Sequence, residues 1–357
     1  MTGAVRFAAM LAAAILGTSL PLPAPAQTPA PAPAAKAAPE KQQQQHQPAV
    51  PFAPAVQAFP PVGAAPAAAA PAADSRAPDF AFAAYQRGFY LRAFALATDH
   101  AATGDMKAMT LLGELYAGGL GVAQNDAKAA EWYQLAADRG DREAMFALAM
   151  FRLEGRAGPR DREASAKWLA AAAKLGHPLA AYDLALLYME GQLFPQDFAR
   201  AAELLRVAAQ AGNPDAQYAL GTFYKEGRGV PKDMSQAVRL WAAAALADHT
   251  DAEVEYAIAL FNGEGVAKDE QTAAALFHKA ALHGSAIAQD RYARILSTGR
   301  GAPLNAAEAV KWHLISRARG ETNLQLDEYV NSLDAATRAQ GENAAKTWLD
   351  ALKKPPG

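Results

Sequence analysis

Histidine, glutamate and glycine are the residues of this chain whose placement could do chemistry: bind a metal, move a proton or cradle a phosphate. Of the seven histidines, His278 and His283 stand closest, five residues apart. A helix brings residues three or four apart onto one face, so these two do not converge, and no metal site is predicted. Gly227-Arg228-Gly229 invites a nucleotide reading. It fails, because no third glycine follows at the dinucleotide spacing and no Gly-Lys-Ser/Thr phosphate loop occurs. Nucleophile motifs are missing as well: there is no Gly-x-Ser-x-Gly, Ser-x-x-Lys or Lys-Thr-Gly. With zero Cys, thiolate zinc sites, cysteine nucleophiles, disulfides and a lipidated N-terminal Cys are all excluded. The chain does not read as an enzyme, and no cofactor is predicted. Its 34 basic and 36 acidic residues leave a net charge of -2, without the basic excess of a nucleic-acid binder.

The glycines that fail as a phosphate loop succeed as punctuation. Gly104, Gly140, Gly176, Gly212, Gly284 and Gly320 lie on a 36-residue grid, with Asp248 in the one missing slot. Gly119, Gly155, Gly191, Gly227, Gly263 and Gly299 form a second column, and Ala108, Ala144, Ala180, Ala216, Ala252 and Ala288 a third. Six uninterrupted repeats therefore run over 105–320. Each predicts two antiparallel helices. In the fourth, Pro214 suits a first helical turn, and Ala216, Leu220, Gly221 and Tyr224 share one face. Gly227 and Gly229 stop that helix. Asp233 caps the second, whose stripe is Ala237, Leu240, Trp241, Ala244 and Ala245. The cap column is regular: Asn125, Asp161, Asp197, Asp233, Asp269 and Asn305. Ala157 and Leu193 replace the second loop glycine in repeats two and three, so those loops are expected to bend differently. Asp248 and Tyr256 depart from their columns, which predicts looser contact between repeats four and five. His177 and His249 both start repeats and are expected to be exposed.

Segments of other character flank the array. Residues 1–26 read as a secretory signal: Arg6, then an apolar run from Phe7 to Leu20, then Ala24-Pro25-Ala26 before a cleavage point. Periplasmic or secreted localisation follows as an expectation, with no stable membrane insertion after cleavage. Residues 27–78 contain 19 Ala and 12 Pro, a disordered Ala/Pro-rich linker reaching at most ~160 Å at about 3.1 Å per residue. Residues 79–104 form a shortened capping repeat, and 321–357 a helical cap and tail with Leu333, Ala336 and Trp348 as candidate buried residues.

The period and its columns resemble the Sel1-like repeat family, a branch of the tetratricopeptide class. The resemblance rests on Ala216-Gln217-Tyr218-Ala219-Leu220-Gly221-Thr222-Phe223-Tyr224 with Gly227-Arg228-Gly229-Val230-Pro231-Lys232-Asp233, and on Gly119 to Val122 with Trp132, Ala136, Ala137 and Gly140. It implies an all-α, right-handed superhelical solenoid whose first helices line a concave groove. The Cys-rich subgroup with a disulfide in each repeat is not matched.

Transferring that geometry, groove positions fall nine, five and two residues before the glycine that closes each first helix. These are Phe146, Met150 and Leu153; Tyr182, Leu186 and Met189; Tyr218, with polar Thr222 and Lys225; then Val254, Ile258 and Phe261. Glu154, Glu190 and Glu226 would rim this apolar floor, favouring a partner helix or peptide with basic and apolar residues. Changing Tyr182 and Leu186 to Glu is expected to abolish capture while sparing the fold. The function that follows is an exported scaffold or adaptor in the cell envelope. Tyr182 and Tyr218 leave a glycan or peptidoglycan strand as the alternative ligand.

Overall fold

Capping residues and glycines translate directly into helix ends. The computed structural model describes residues 80–353, and among these there are sixteen α-helices and no strand. The predicted signal and linker lie outside the described residues. A first pair, α1 (Phe80–Gln86) and α2 (Tyr90–Ala102), precedes the repeats. Repeats one to three are α3 (Met106–Gly118) with α4 (Asp126–Asp138), α5 (Arg142–Glu154) with α6 (Arg162–Lys174), and α7 (Pro178–Glu190) with α8 (Phe198–Gln210). Repeats four to six are α9 (Pro214–Glu226) with α10 (Met234–Leu246), α11 (Thr250–Asn262) with α12 (Glu270–Leu282), and α13 (Ala286–Thr298) with α14 (Ala306–Ala318). Then follow α15 (Leu324–Ser332) and α16 (Ala335–Leu352). From α1 to α14 each helix packs on the next in sequence, and α16 then folds back onto α14, building an all-α, right-handed superhelical solenoid.

The whole cap column works as expected. The side chains of Asn125, Asp161, Asp197, Asp233, Asp269 and Asn305 each accept a backbone N–H in the first turn of the second helix. At the other end of each first helix, Gly119 and its equivalents adopt the left-handed conformation that closes it.

Packing within a repeat follows a size rule. Gly113 sits under Tyr133 and Gly221 under Trp241, where an added Cβ would lie 2.5 Å and 2.6 Å from the ring. Leu169, Leu205 and Phe277, the same slot in other repeats, stand twenty residues after buried Ala149, Ala185 and Ala257. The largest side chains thus meet the residue with no side chain, which keeps helix spacing constant. Buried residues group into three clusters: one from Ala81 to Phe223, one centred on Trp241 with Ala237, Val238, Ala244, Ala252 and Ala259, and one from Val254 to Ala345.

Two departures from the column pattern resolve differently. Ala157 has φ +58°, in the left-handed region that Gly121, Gly229, Gly265 and Gly301 occupy at its position. Ala157 therefore keeps the glycine-like φ of that position, and the repeat-two loop departs at the next residue, Gly158, with φ +155°. The strain of about 1–2 kcal/mol that Ala157 carries as an L-residue is offset by its neighbour. Arg156 donates to Asp126 at 2.5 and 3.1 Å and to the Ala117 carbonyl at 3.0 Å, with its guanidinium 4.1 Å from the centre of the Phe151 ring. Leu193 does not adopt positive φ, so the repeat-three loop departs at this position itself. Asp248 also takes φ +60° in place of glycine. Its carboxylate accepts from Lys279 at 2.6 Å, and the same ammonium lies 2.7 Å from the fully buried Glu253.

At the C-terminal end, Trp348 packs edge-on to Trp312 with ring centres 5.3 Å apart. Leu333 is half-buried, whereas Ala336 is exposed and does not join the core. Gly341 and Ala345 take that role instead: a Cβ on Gly341 would meet Val310 at 2.5 Å, so α16 lies close along α14.

Candidate partner-binding face

The first helices of the repeats, α3 to α13 in odd numbers, share a face by virtue of the unbroken period. Along it Phe146, Met150, Leu153, Tyr182, Met189, Tyr218, Ile258 and Phe261 are half-buried. Leu186 and Val254 are not available on it, being only 4% and 5% exposed. A helix flanked by neighbours on both sides buries more than half its circumference, so three positions per helix overfill the outward wedge. Leu186→Glu would place a charge in the core and unfold the repeat, so it cannot report on binding.

The aromatic positions are held by the next repeat. His177 caps α7: its Nδ1 accepts from the Ala180 N–H at 3.1 Å, which puts the proton on Nε2, donated to Glu143 at 2.9 Å. Phe146 stacks on that imidazole with ring centres 4.4 Å apart. Repeat four copies the arrangement, with His249 capping α11 through Ala252 at 3.2 Å and Tyr218 stacked on it at 4.8 Å. His249 Nε2 lies 3.4 Å from Asp215. Contrary to expectation, then, His177 is buried at 3% exposure and His249 is half-buried. A cap must sit against the helix end it serves, and that end lies at the seam between repeats.

The acid column does not rim the floor as a unit. Glu190 is paired with Arg162 at 2.9 Å and Glu226 with Arg228 at 2.8 Å, while Glu154 is exposed. The carboxylates that do sit among the aromatics lie elsewhere on the helices. Asp215 and Asp183 stand near enough to Tyr182, and Asp251 and Glu255 to Tyr218, to push those phenols' pKa upward, although burial is the larger cause. Asp183 has no hydrogen-bond or ion partner among the described residues, and burial raises its carboxyl to about 7. Thirty residues separate it from Leu153, the spacing at which Lys225 binds Glu255 at 2.8 Å. At the position where Glu255 has a lysine thirty residues before it, Asp183 has a leucine. Sequence reasoning missed Asp183 because only three positions per helix were followed. The column eight residues before the closing glycine, on the same grid, contains it.

These two groups give the joint between repeats two and three a pH response. Burial lowers the His177 pKa more than Glu143 restores it, so the fold favours the neutral ring. An unfolded His takes up a proton near pH 6.5, so this residue makes stability fall as pH drops below that value. Asp183 acts oppositely: it is protonated in the fold up to about 7 but ionised when unfolded above about 4, so stability falls as pH rises between the two. Comparing wild type with His177→Asn isolates the first effect, since Asn213 caps the following repeat without titrating. Thermal unfolding from pH 7.5 to 5.5 should decline less in the variant than in wild type; equal slopes would refute the assignment.

Among the described residues, no three His, Asp or Glu side chains are placed to hold a metal ion. No described helix is long and apolar enough to cross a membrane.

The Sel1 repeat pattern matches six consecutive stretches of the chain, 107–141, 142–177, 178–213, 214–249, 250–285 and 286–320. A Sel1 repeat protein from Oxalobacter formigenes is 26% identical, aligned over 68% of this chain and 98% of its own, with a TM-score of 0.55. The protective antigen c5321 of uropathogenic Escherichia coli, which displays an SLR fold, is 24% identical over 75% of this chain and 68% of its own, with a TM-score of 0.51. No curated protein matches the chain.

Proposed function

Because the chain belongs to the Sel1 repeat family, we propose that it is an exported scaffold that holds a partner helix or peptide against its first-helix face. Sel1 repeat proteins generally act through protein–protein interaction, and the family is typically non-enzymatic. The observation that carries the finer reading is the half-buried strip Phe146, Met150, Leu153, Tyr182 and Met189 with unpaired Asp183 beside it. An apolar strip of this kind marks interaction surfaces. A half-buried carboxylate without an ion partner is relieved by a basic side chain brought in by a ligand. The partner this favours is an amphipathic segment with one Lys or Arg among apolar anchors. Export rests on Arg6, the apolar run Phe7 to Leu20 and Ala24-Pro25-Ala26, and the 27–78 linker would space the array from its point of attachment.

A photoreactive side chain at Tyr182, activated in cells, should trap one defined protein. Tyr182→Glu with Met189→Glu should abolish trapping from a probe at Met150 while the thermal transition shifts little. Recovery of only lipid or glycan would overturn the reading, as would undiminished trapping in the double variant. Fractionation should recover the chain outside the cytoplasm, shortened by the 26 predicted signal residues.

A further inference from the structure

The first-helix face changes sign at its C-terminal end. Asp183, Asp215 and Asp251 line it through repeats three to five, Glu255 being paired with Lys225, whereas α13 carries Arg291 and Arg294 one turn apart. Between α11 and α13 lies a cavity of about 250 Å³, with Ile258, Phe261 and Ile295 among its lining residues and Arg291, Arg294 and Arg300 at its edge. Arg300 is already engaged: it pairs with Glu270, and its guanidinium lies 4.7 Å from the centre of the Phe261 ring. Arg291 and Arg294 have no acidic partner among the described residues. Their neighbour Asp290 is occupied by Asn323 at 2.8 Å.

Two like charges three residues apart on a helix repel each other, and here no protein carboxylate relieves them. The apolar wall beside them asks for a second kind of contact. A phosphate or sulfate would satisfy the guanidiniums but leave half-buried Ile258 and Phe261 uncovered. A ligand that fits both halves carries an anion on the same short unit as an apolar group. The cavity is smaller than the ~300–1,000 Å³ of drug-sized sites, which suits one side chain. We propose that this pocket receives the C-terminal residue of a partner polypeptide, its apolar side chain on Ile258 and Phe261 and its α-carboxylate between Arg291 and Arg294. The forked donors of arginine match a carboxylate with two parallel hydrogen bonds. This rests on the peptide-binding reading above and adds to it a chain terminus and a direction, with Asp183, Asp215 and Asp251 taking basic residues upstream of that terminus.

The test uses the full chain, immobilised, and two pools of short random peptides that differ only at the C-terminus, free acid in one and amide in the other. Retention of the free-acid pool should exceed that of the amidated pool by about tenfold or more, with Leu, Met or Phe enriched at the last position. Arg291→Ala with Arg294→Ala should erase the difference; both side chains are exposed, so the thermal transition should hold. Equal retention of the two pools, retention of neither, no preference at the last position, or displacement by inorganic phosphate at matched concentration would each overturn the proposal. Unchanged trapping at Tyr182 in the double arginine variant would overturn the pocket while leaving the scaffold reading intact. Loss of trapping in wild type itself would defeat the scaffold reading.

Discussion

Trp241→Ala is expected to cost about 3–5 kcal/mol and to turn one unfolding transition into two. Trp241 is fully buried and forms the centre of the small middle cluster of the core. That cluster joins a large N-terminal core ending at Phe223 to a C-terminal one beginning at Val254. Tyr218, Tyr224 and Tyr256 pack around it, and the indole N–H donates to the Tyr218 carbonyl at 3.3 Å. Removing the ring leaves a void over Gly221, which has no side chain to fill it. In a linear array, stability is a sum of repeat and neighbour terms, so weakening one joint uncouples the two sides. Urea unfolding followed by circular dichroism should show two steps; a single step shifted to lower urea would mean that the middle cluster is no joint.

Gly229→Ala is the second large effect, and Gly212→Ala is its control. Both glycines have positive φ, at 68° and 87°, so either substitution carries the left-handed strain of ~1–2 kcal/mol. Their surroundings differ. A Cβ on Gly212 would meet nothing within 4 Å, while one on Gly229 would overlap the carbonyl of Phe198 and touch the Ala199 amide at 2.7 Å. Backbone cannot swing aside as a side chain can, so an overpacking cost of ~1–3 kcal/mol adds to the strain. The loop would have to lift from the start of α8. Gly229→Ala should therefore lose at least about twice as much stability as Gly212→Ala in chemical denaturation. Equal losses would show that only dihedral strain matters at both positions.

Much of this is legible in the sequence alone. Glycine, proline and the Asn/Asp column define helix ends through local backbone chemistry, and local chemistry is what a sequence displays. Repetition multiplied the signal, since an error in one repeat disagrees with five others. What failed were statements about what surrounds a residue. Leu186 and Tyr182 are four apart on one helix, yet one is core and the other half-open, because the neighbouring helices cover unequal arcs. His177 looked like a polar side chain at a turn, and its burial follows from serving as a cap at a seam. Glu190 and Glu226 are drawn to Arg162 and Arg228, partners whose reach depends on loop geometry. Asp183, Arg291 and Arg294 were visible as types but lacked a reason for attention until their missing partners could be seen.

The pairing of Gly113 with Tyr133 and of Gly221 with Trp241 has an evolutionary consequence. In each case the bulky residue and the gap that admits it lie in the same repeat, twenty residues apart. A repeat carries both halves of its own fit, and a change of bulk in one need not be matched in the next. Copying or losing one 36-residue unit would preserve that fit, whereas a shift of the unit's boundary into a helix pair would divide it. Such a gene can change the length of its product by whole units without first redesigning the interior. It can then spend mutations on the outward positions, where Met150, Asp183 and Arg294 already differ from one repeat to another.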